Sequence, residues 1–406
     1  MTEMKDRMTE PTDTDTPTPT PQPISPIRRM MFRVILLFGG LALAAGIAEA
    51  LLWVVAPIPY SEWLVWEPEG HIRARPMPNQ VVHTAEGYEV RINKYGFRGP
   101  DYAYRKQPGT LRIEVFGGSA GFCFRASGRE ATWPAVLERL LSERLNMPVQ
   151  VINLALPGYD VFNSKLNYLC FGRAFEPDAV IVYHTWNDMK LFRYVPHIPY
   201  GPVTWVPNKP LWQRIARATQ IGRRARQVIW TATKRKMENT YRKAEGTNEG
   251  IDAPVDEKAF AWERQNFLDF ARMIQAAGQL PILVSQASLA TLDNLDDPDV
   301  RMATAPVPGM VRMTVPLATA SWNRVSHIIE EAARVTGAVF VDGYDAVPHD
   351  LEHMFDEVHL RDAGSVKLAT AIADTLLSDR RFQEVVTRVR GETAAGADHR
   401  DNDTAP

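Results

Sequence analysis

LRIEVFGGSAGF, residues 111–122, is the stretch on which the fold turns. Leu111, Ile113, Val115 and Phe116 make a short, mostly apolar run with β-branched members, and Gly117 and Gly118 break it immediately before Ser119. The pattern predicts a buried strand that delivers a serine at a tight turn. Glycines there let the backbone turn sharply, and the N–H groups that follow open a helix, where developing negative charge is favoured. Ser119 is therefore a candidate nucleophile. The same residues also describe a glycine-rich strand-to-helix turn whose serine is only a cap, so the rest of the chain decides.

Working outward toward the C-terminus, apolar runs recur at 149–154, 178–184, 280–285 and 338–342, separated by helical patterns near 131–145, 160–174, 258–277, 318–336 and 363–379. Strand and helix in alternation predict a three-layer α/β/α sandwich with a five-stranded, mostly parallel sheet. Functional groups then gather at the C-terminal ends of the strands. Each predicted strand end carries chemistry: Ser119 after the first, Gly158 after the second, Asn187 after the third, and Asp356 with His359 beyond the fifth.

Residue type assigns the roles. A serine hydroxyl needs an imidazole to take its proton, and the imidazole needs a carboxylate to hold its tautomer and stabilise its cation. Asp356, three residues before His359, supplies both from one loop. The N–H groups of Ser119 and Gly158 and the side-chain amide of Asn187 would make a three-donor oxyanion hole. The alternative elbow G-x-S-x-G is also spelled by residues 117–121, but Ser119 ends the first strand of the α/β region, and acid and base share one tetrapeptide, unlike an α/β-hydrolase.

These four blocks, in this order over about residues 90–380, resemble the SGNH (GDSL-like) hydrolase superfamily. The resemblance implies a flavodoxin-like SGNH fold, Ser119 as nucleophile, Ser119, Gly158 and Asn187 in the oxyanion hole, and Asp356 and His359 as the D-x-x-H dyad. Where the family usually has Gly-Asp-Ser, this chain has Gly117-Gly118-Ser119. NKYGFRG at 93–99, HLRDAG at 359–364 and an N-terminal anchor look like bacterial envelope members associated with surface polysaccharide.

On the N-terminal side, residues 1–27 are a Pro/Thr/Asp-rich tract expected to be a disordered cytoplasmic tail. Arg28, Arg29 and Arg33 precede residues 34–56, an apolar run long enough to span a bilayer. Residues 28–56 thus read as a retained signal anchor in a bacterial inner membrane, single-pass, with the N-terminus cytoplasmic and the catalytic domain periplasmic or otherwise extracytoplasmic. Glu49 is expected to snorkel or to be protonated. Residues 57–105 form a juxtamembrane connector and a small β-rich preface, and 106–382 the hydrolase-like domain. The basic stretch 209–243, with eleven Lys or Arg and one Glu, reads as a helical insertion spanning 205–257. It is a solvated cap or a contact for anionic headgroups or an acidic glycan. Residues 383–406 read as a polar tail.

A formal net charge of -2 over 406 residues makes no case for nucleic acid. Two cysteines, Cys123 and Cys170, exclude a disulfide framework and read as buried free thiols. His184 reads as structural, and His349 and His353 stand behind His359 as base. Metal binding by this His/Asp/Glu cluster lacks further ligands at a recognisable spacing, and no cofactor is implied. The expected activity is cleavage of an O-acyl ester, on an acylated envelope glycan or small ester, with polysaccharide-assembly proteins as possible partners. Two alternatives stand beside it: an O-acetyltransferase passing the acyl group to a polysaccharide hydroxyl, and an idle glycan-binding assembly protein.

Overall fold

The computed structural model describes residues 25–56, 66–67, 75–84, 87–192, 218–225, 228–229, 253–305, 307 and 311–401. The expected tail as far as residue 24, most of the connector and most of the 205–257 insertion lie outside the described residues. The chain divides into two units, Met1–Pro57 and Ile58–Pro406.

The first unit is helix α1, Pro26–Val55. Pro26 sits where its missing N–H costs nothing, and the Ser25 hydroxyl accepts the N–H of Arg28 at 3.3 Å. Its apolar residues run around the whole circumference, with a mean hydropathy of 2.2 over the best 18-residue window. Among the described residues it is the one helix long and apolar enough to cross a membrane. Glu49 accepts a hydrogen bond from the indole of Trp53, one turn on, at 3.0 Å.

The second unit opens with two small antiparallel pairs, β1 (Trp66–Glu67) with β2 (Arg75–Pro76) and β3 (Val81–His83) with β4 (Glu89–Arg91). The main sheet follows: β5 Leu111–Gly117, β6 Val149–Asn153, β7 Ala179–Tyr183, β8 Leu280–Val284 and β9 Val339–Val341, all parallel, in the order β6-β5-β7-β8-β9. The helices are α2 Ser119–Phe122, α3 Trp133–Leu145, α4 Val161–Cys170, α5 Trp186–Met189, α6 Glu257–Ala276, α7 Pro298–Thr304, α8 Val315–Thr336, α9 Gly343–Ala346, α10 Asp362–Ser378 and α11 Arg380–Asp401. One helical layer pairs α3 with α10, and the other joins α6 to α8 and α4.

Every residue of β5 is buried, Arg112 and Glu114 included, as befits a strand covered on both faces. Two charged residues on it are accommodated differently. Arg112 donates from Nε to Gln150 Oε1 at 3.0 Å and also reaches the carbonyls of Tyr104 and Phe175. Glu114 has no hydrogen-bond partner among the described residues for either oxygen, and burial, only partly offset by Arg112, pushes its pKa well up.

The register brings Gly117 beside Tyr183 and Val115 beside Asn153. The loops leaving β5, β6 and β7 therefore emerge side by side, which is the topological reason that Ser119, Gly158 and Asn187 share one edge.

Two expectations are corrected. Residues from 383 do not trail away as a tail: α11 runs to Asp401, and Phe382, Val386 and Val389 are buried on one stripe at helical spacing. Arg388 adds an ion pair to Asp178 at 3.3 Å. The cysteines are both free, but only Cys123 is buried; Cys170, at the end of α4, is exposed.

Candidate active site

Ser119 is the first residue of α2, and its neighbouring glycines answer to space. A Cβ on Gly117 would lie 2.8 Å from the carbonyl oxygen of Tyr183, one on Gly121 would lie 2.8 Å from Ala155 Cβ, and one on Gly118 would lie 2.4 Å from Asn187 Nδ2. Gly118 has φ -83° and ψ -150°, so close approach, rather than a left-handed turn, demands glycine here. Gly158 is the contrary case, with φ 83°, a conformation that side chains rarely adopt.

The NKYGFRG segment holds the serine turn from the other side. Asn93 Oδ1 accepts the N–H groups of Tyr95 and Phe97, both at 3.0 Å, which folds the segment back on itself. Buried Arg98 then donates to the carbonyl of Phe122 at 3.1 Å and to that of Cys123, at the C-terminal end of α2. A cation placed on those carbonyls is favoured by the local dipole.

His359 Nε2 lies 2.8 Å from Ser119 Oγ. The other ring nitrogen, Nδ1, lies 2.8 and 2.9 Å from the two oxygens of Asp356. Asp356 Oδ1 also accepts the N–H groups of Val358 at 3.1 Å and His359 at 2.9 Å. Burial pushes the Asp356 carboxyl up, yet the charge and ring of His359 and these N–H groups outweigh it and hold it below its ordinary value. An ionised carboxylate at Nδ1 keeps the proton on that nitrogen and leaves Nε2 to accept from the serine hydroxyl. The loop carrying the pair is tight: Phe355 N–H donates to the carbonyl of His359 at 2.7 Å, and Met354 bridges to Leu360.

Asn187 comes from α5 and is buried, its Nδ2 donating to the carbonyl of Tyr159 at 2.8 Å. The loop of Gly158 and the amide of Asn187 are thus joined directly. Behind them lies a buried polar layer. Asp160 caps α4 by accepting the N–H of Asn163 at 2.7 Å, and Asp188 accepts the first N–H of the same helix, that of Val161, at 2.7 Å. Burial, then the charge of Asp160, pushes Asp188 well up, and burial with Asp188 nearby does the same to Glu263 of α6.

The remaining histidines have other partners. His184 is buried against Ser164 Oγ at 2.8 Å, and burial lowers its pKa to about 3, so it is neutral. His349 Nδ1 lies 2.6 Å from the carbonyl oxygen of Ser288. His353 pairs with Asp350 at 2.8 Å, a second D-x-x-H six residues before the first. Among the described residues no group of three or more His, Cys, Asp or Glu is placed to hold a metal ion.

Two neighbours escaped the sequence reading. Lys190 donates to Asn187 Oδ1 at 2.9 Å; its three-residue spacing within one helical turn was the available signal. Glu357 is buried next to Asp356, and burial followed by the repulsion of Asp356 raises its pKa to about 7.

A family model described as GDSL-like Lipase/Acylhydrolase family matches residues 115–366, more than half of the chain. The chain belongs to the GDSL-like lipase/acylhydrolase family. It is accordingly an ester hydrolase of the SGNH type, on a five-stranded parallel sheet flanked by helices. Similar solved structures include an acetylxylan esterase from Geobacillus stearothermophilus, 15% identical, covering 65% of this chain and 93% of that one with a TM-score of 0.38. Another is an alpha/beta hydrolase enzyme from the metagenome of Lake Arreo, Spain, 12% identical, covering 65% and 94% with a TM-score of 0.39. No curated protein matches the chain.

Proposed function

We propose that this esterase works through Ser119, His359 and Asp356, and that it removes O-acyl groups, acetyl above all, from an envelope or exopolysaccharide glycan. His359 Nε2 takes the proton as Ser119 Oγ attacks the ester carbonyl, and Asp356 stays ionised to stabilise the imidazolium. The oxyanion is met by the N–H groups of Ser119 and Gly158 and by Asn187 Nδ2. Collapse expels the alcohol, which takes the proton from His359, and leaves an acyl-serine. Water then attacks that ester with His359 again as base, releasing the acid and restoring Ser119.

The hydrogen-bonded chain from Asp356 through His359 to Ser119 carries this reading. In the membrane-anchored arrangement proposed with it, α1 is the span, Arg28, Arg29 and Arg33 stay on the cytoplasmic side, and the hydrolase unit stands outside. A glycan is the substrate such a tethered enzyme meets at the envelope.

Ser119→Ala and His359→Ala are each expected to lower turnover of p-nitrophenyl acetate on the order of 10⁴-fold while thermal unfolding stays cooperative. Undiminished turnover in either variant would overturn the assignment. With an acetylated glycan, release of free acetate is expected; acetyl appearing on a second glycan instead would make the protein a transferase.

A further inference from the structure

The Asn187 amide is held at both ends. Nδ2 gives one hydrogen to the carbonyl of Tyr159 at 2.8 Å, and Oδ1 accepts from Lys190 Nζ at 2.9 Å. A carbonyl on one side and an ammonium on the other permit a single orientation of the amide, because only the nitrogen donates and only the oxygen accepts. Gly118 keeps the space open: a Cβ there would lie 2.4 Å from Nδ2 and 3.1 Å from the Tyr159 oxygen. The Lys190 ammonium also lies over the Trp186 ring, 5.5 Å from its centre. This is a half-buried lysine in a built setting rather than a solvated one.

We propose that Lys190 is a positioning residue for ester cleavage, fixing the Asn187 amide so that its second Nδ2 hydrogen faces the oxyanion and strengthening that donor through its charge on Oδ1. The inference rests on Asn187 being an oxyanion donor. A cation hydrogen-bonded to an amide oxygen draws electron density from the nitrogen and makes its N–H groups better donors. The benefit is greatest when the carbonyl oxygen becomes an anion, so it belongs to the transition state more than to the bound ester. Loss of Lys190 should then appear in kcat and spare KM.

The test is a cycle in the full chain with p-nitrophenyl acetate. Lys190→Met, close in shape and without charge or donor, is expected to lower kcat about tenfold or more and to leave KM within about twofold. Lys190→Arg, which keeps a charged donor, is expected to recover most of the rate. In an Asn187→Ala background, where the remaining oxyanion donors sustain residual turnover, Lys190→Met is expected to change kcat by less than about twofold. Wild-type kcat in Lys190→Met overturns the proposal, and so does an equal loss in the Asn187→Ala background. Should Lys190→Met fail to unfold cooperatively, Lys190→Gln takes its place in the same cycle. The two readings fail separately: persistent turnover in Ser119→Ala sinks the nucleophile, whereas additive Lys190 and Asn187 effects alongside a dead Ser119→Ala sink only the role of Lys190.

Discussion

Glu357 sits one residue from the acid of the site, and its burial sets a pH dependence that is independent of turnover. Its pKa is raised to about 7 from an ordinary 4.5, first by burial and then by Asp356. A carboxyl that holds its proton more tightly when folded stabilises fully below about 4.5, and that stability is lost as pH climbs through about 7, on the order of 3 kcal/mol in all. The thermal midpoint should therefore fall between pH 5 and pH 9, and Glu357→Gln should flatten much of that slope; an unchanged slope would remove Glu357 as its source. Asp188 and Glu263, also raised, act in the same direction, while Asp356, held low, loses its contribution only in acid. Gly118 yields a second expectation. Gly118→Ala, and equally Gly118→Asp with its family-typical side chain, pushes Asn187 away, so kcat should fall on the order of 10²-fold and fluorophosphonate labelling of Ser119 should slow. Wild-type labelling in Gly118→Ala would show that the amide moves without consequence. The chain positions of Ser119, Asn187, Asp356 and His359 could be read because their chemistry is narrow. Lys190 was harder to read, because its three-residue spacing from Asn187 is shared by any solvated lysine in a helical turn until its partner is seen.

At the scale of elements, the strands were legible because a sheet covered on both faces needs apolar runs; β7 and β8 are continuous ones, and β5 is one interrupted by Arg112 and Glu114. The last helix was not. Phe382, Val386 and Val389, buried among its described residues, are scattered between charged residues of a 22-residue helix, so its composition looks like that of a tail while its spacing does not. The serine turn misled differently, since glycine required by neighbours at 2.4–2.8 Å is indistinguishable in sequence from glycine required by backbone angles. Ending the chain at Asp379 should test the helix: losing Phe382, Val386 and Val389 from the core removes roughly 2 kcal/mol apiece. The urea midpoint should fall sharply or folding be lost, and an unaltered midpoint would mean that α11 contributes nothing to the domain.

Across the whole molecule, the proposed function gives the two units separate parts, Met1–Pro57 as anchor and Ile58–Pro406 as enzyme. At about 1.5 Å per residue the 30 residues of α1 extend about 45 Å, beyond the roughly 30 Å of a hydrocarbon core. The full chain is expected to sediment with membranes and to need detergent for release, whereas residues 58–406 alone should be soluble and keep the kcat of the full chain; a soluble full chain would remove the anchor. The hydrogen bond between Ser119 and His359 joins residues 240 positions apart. At synthesis rates of about 5–20 residues per second, the serine exists for about 12–48 s before its base has been made. A chain threading out of the ribosome carries a mute hydroxyl throughout that interval. Chain growth is itself the switch in the proposed mechanism: the Ser119 hydroxyl meets its base only once residue 359 has been delivered, and a product truncated before that point has no His359 to activate it.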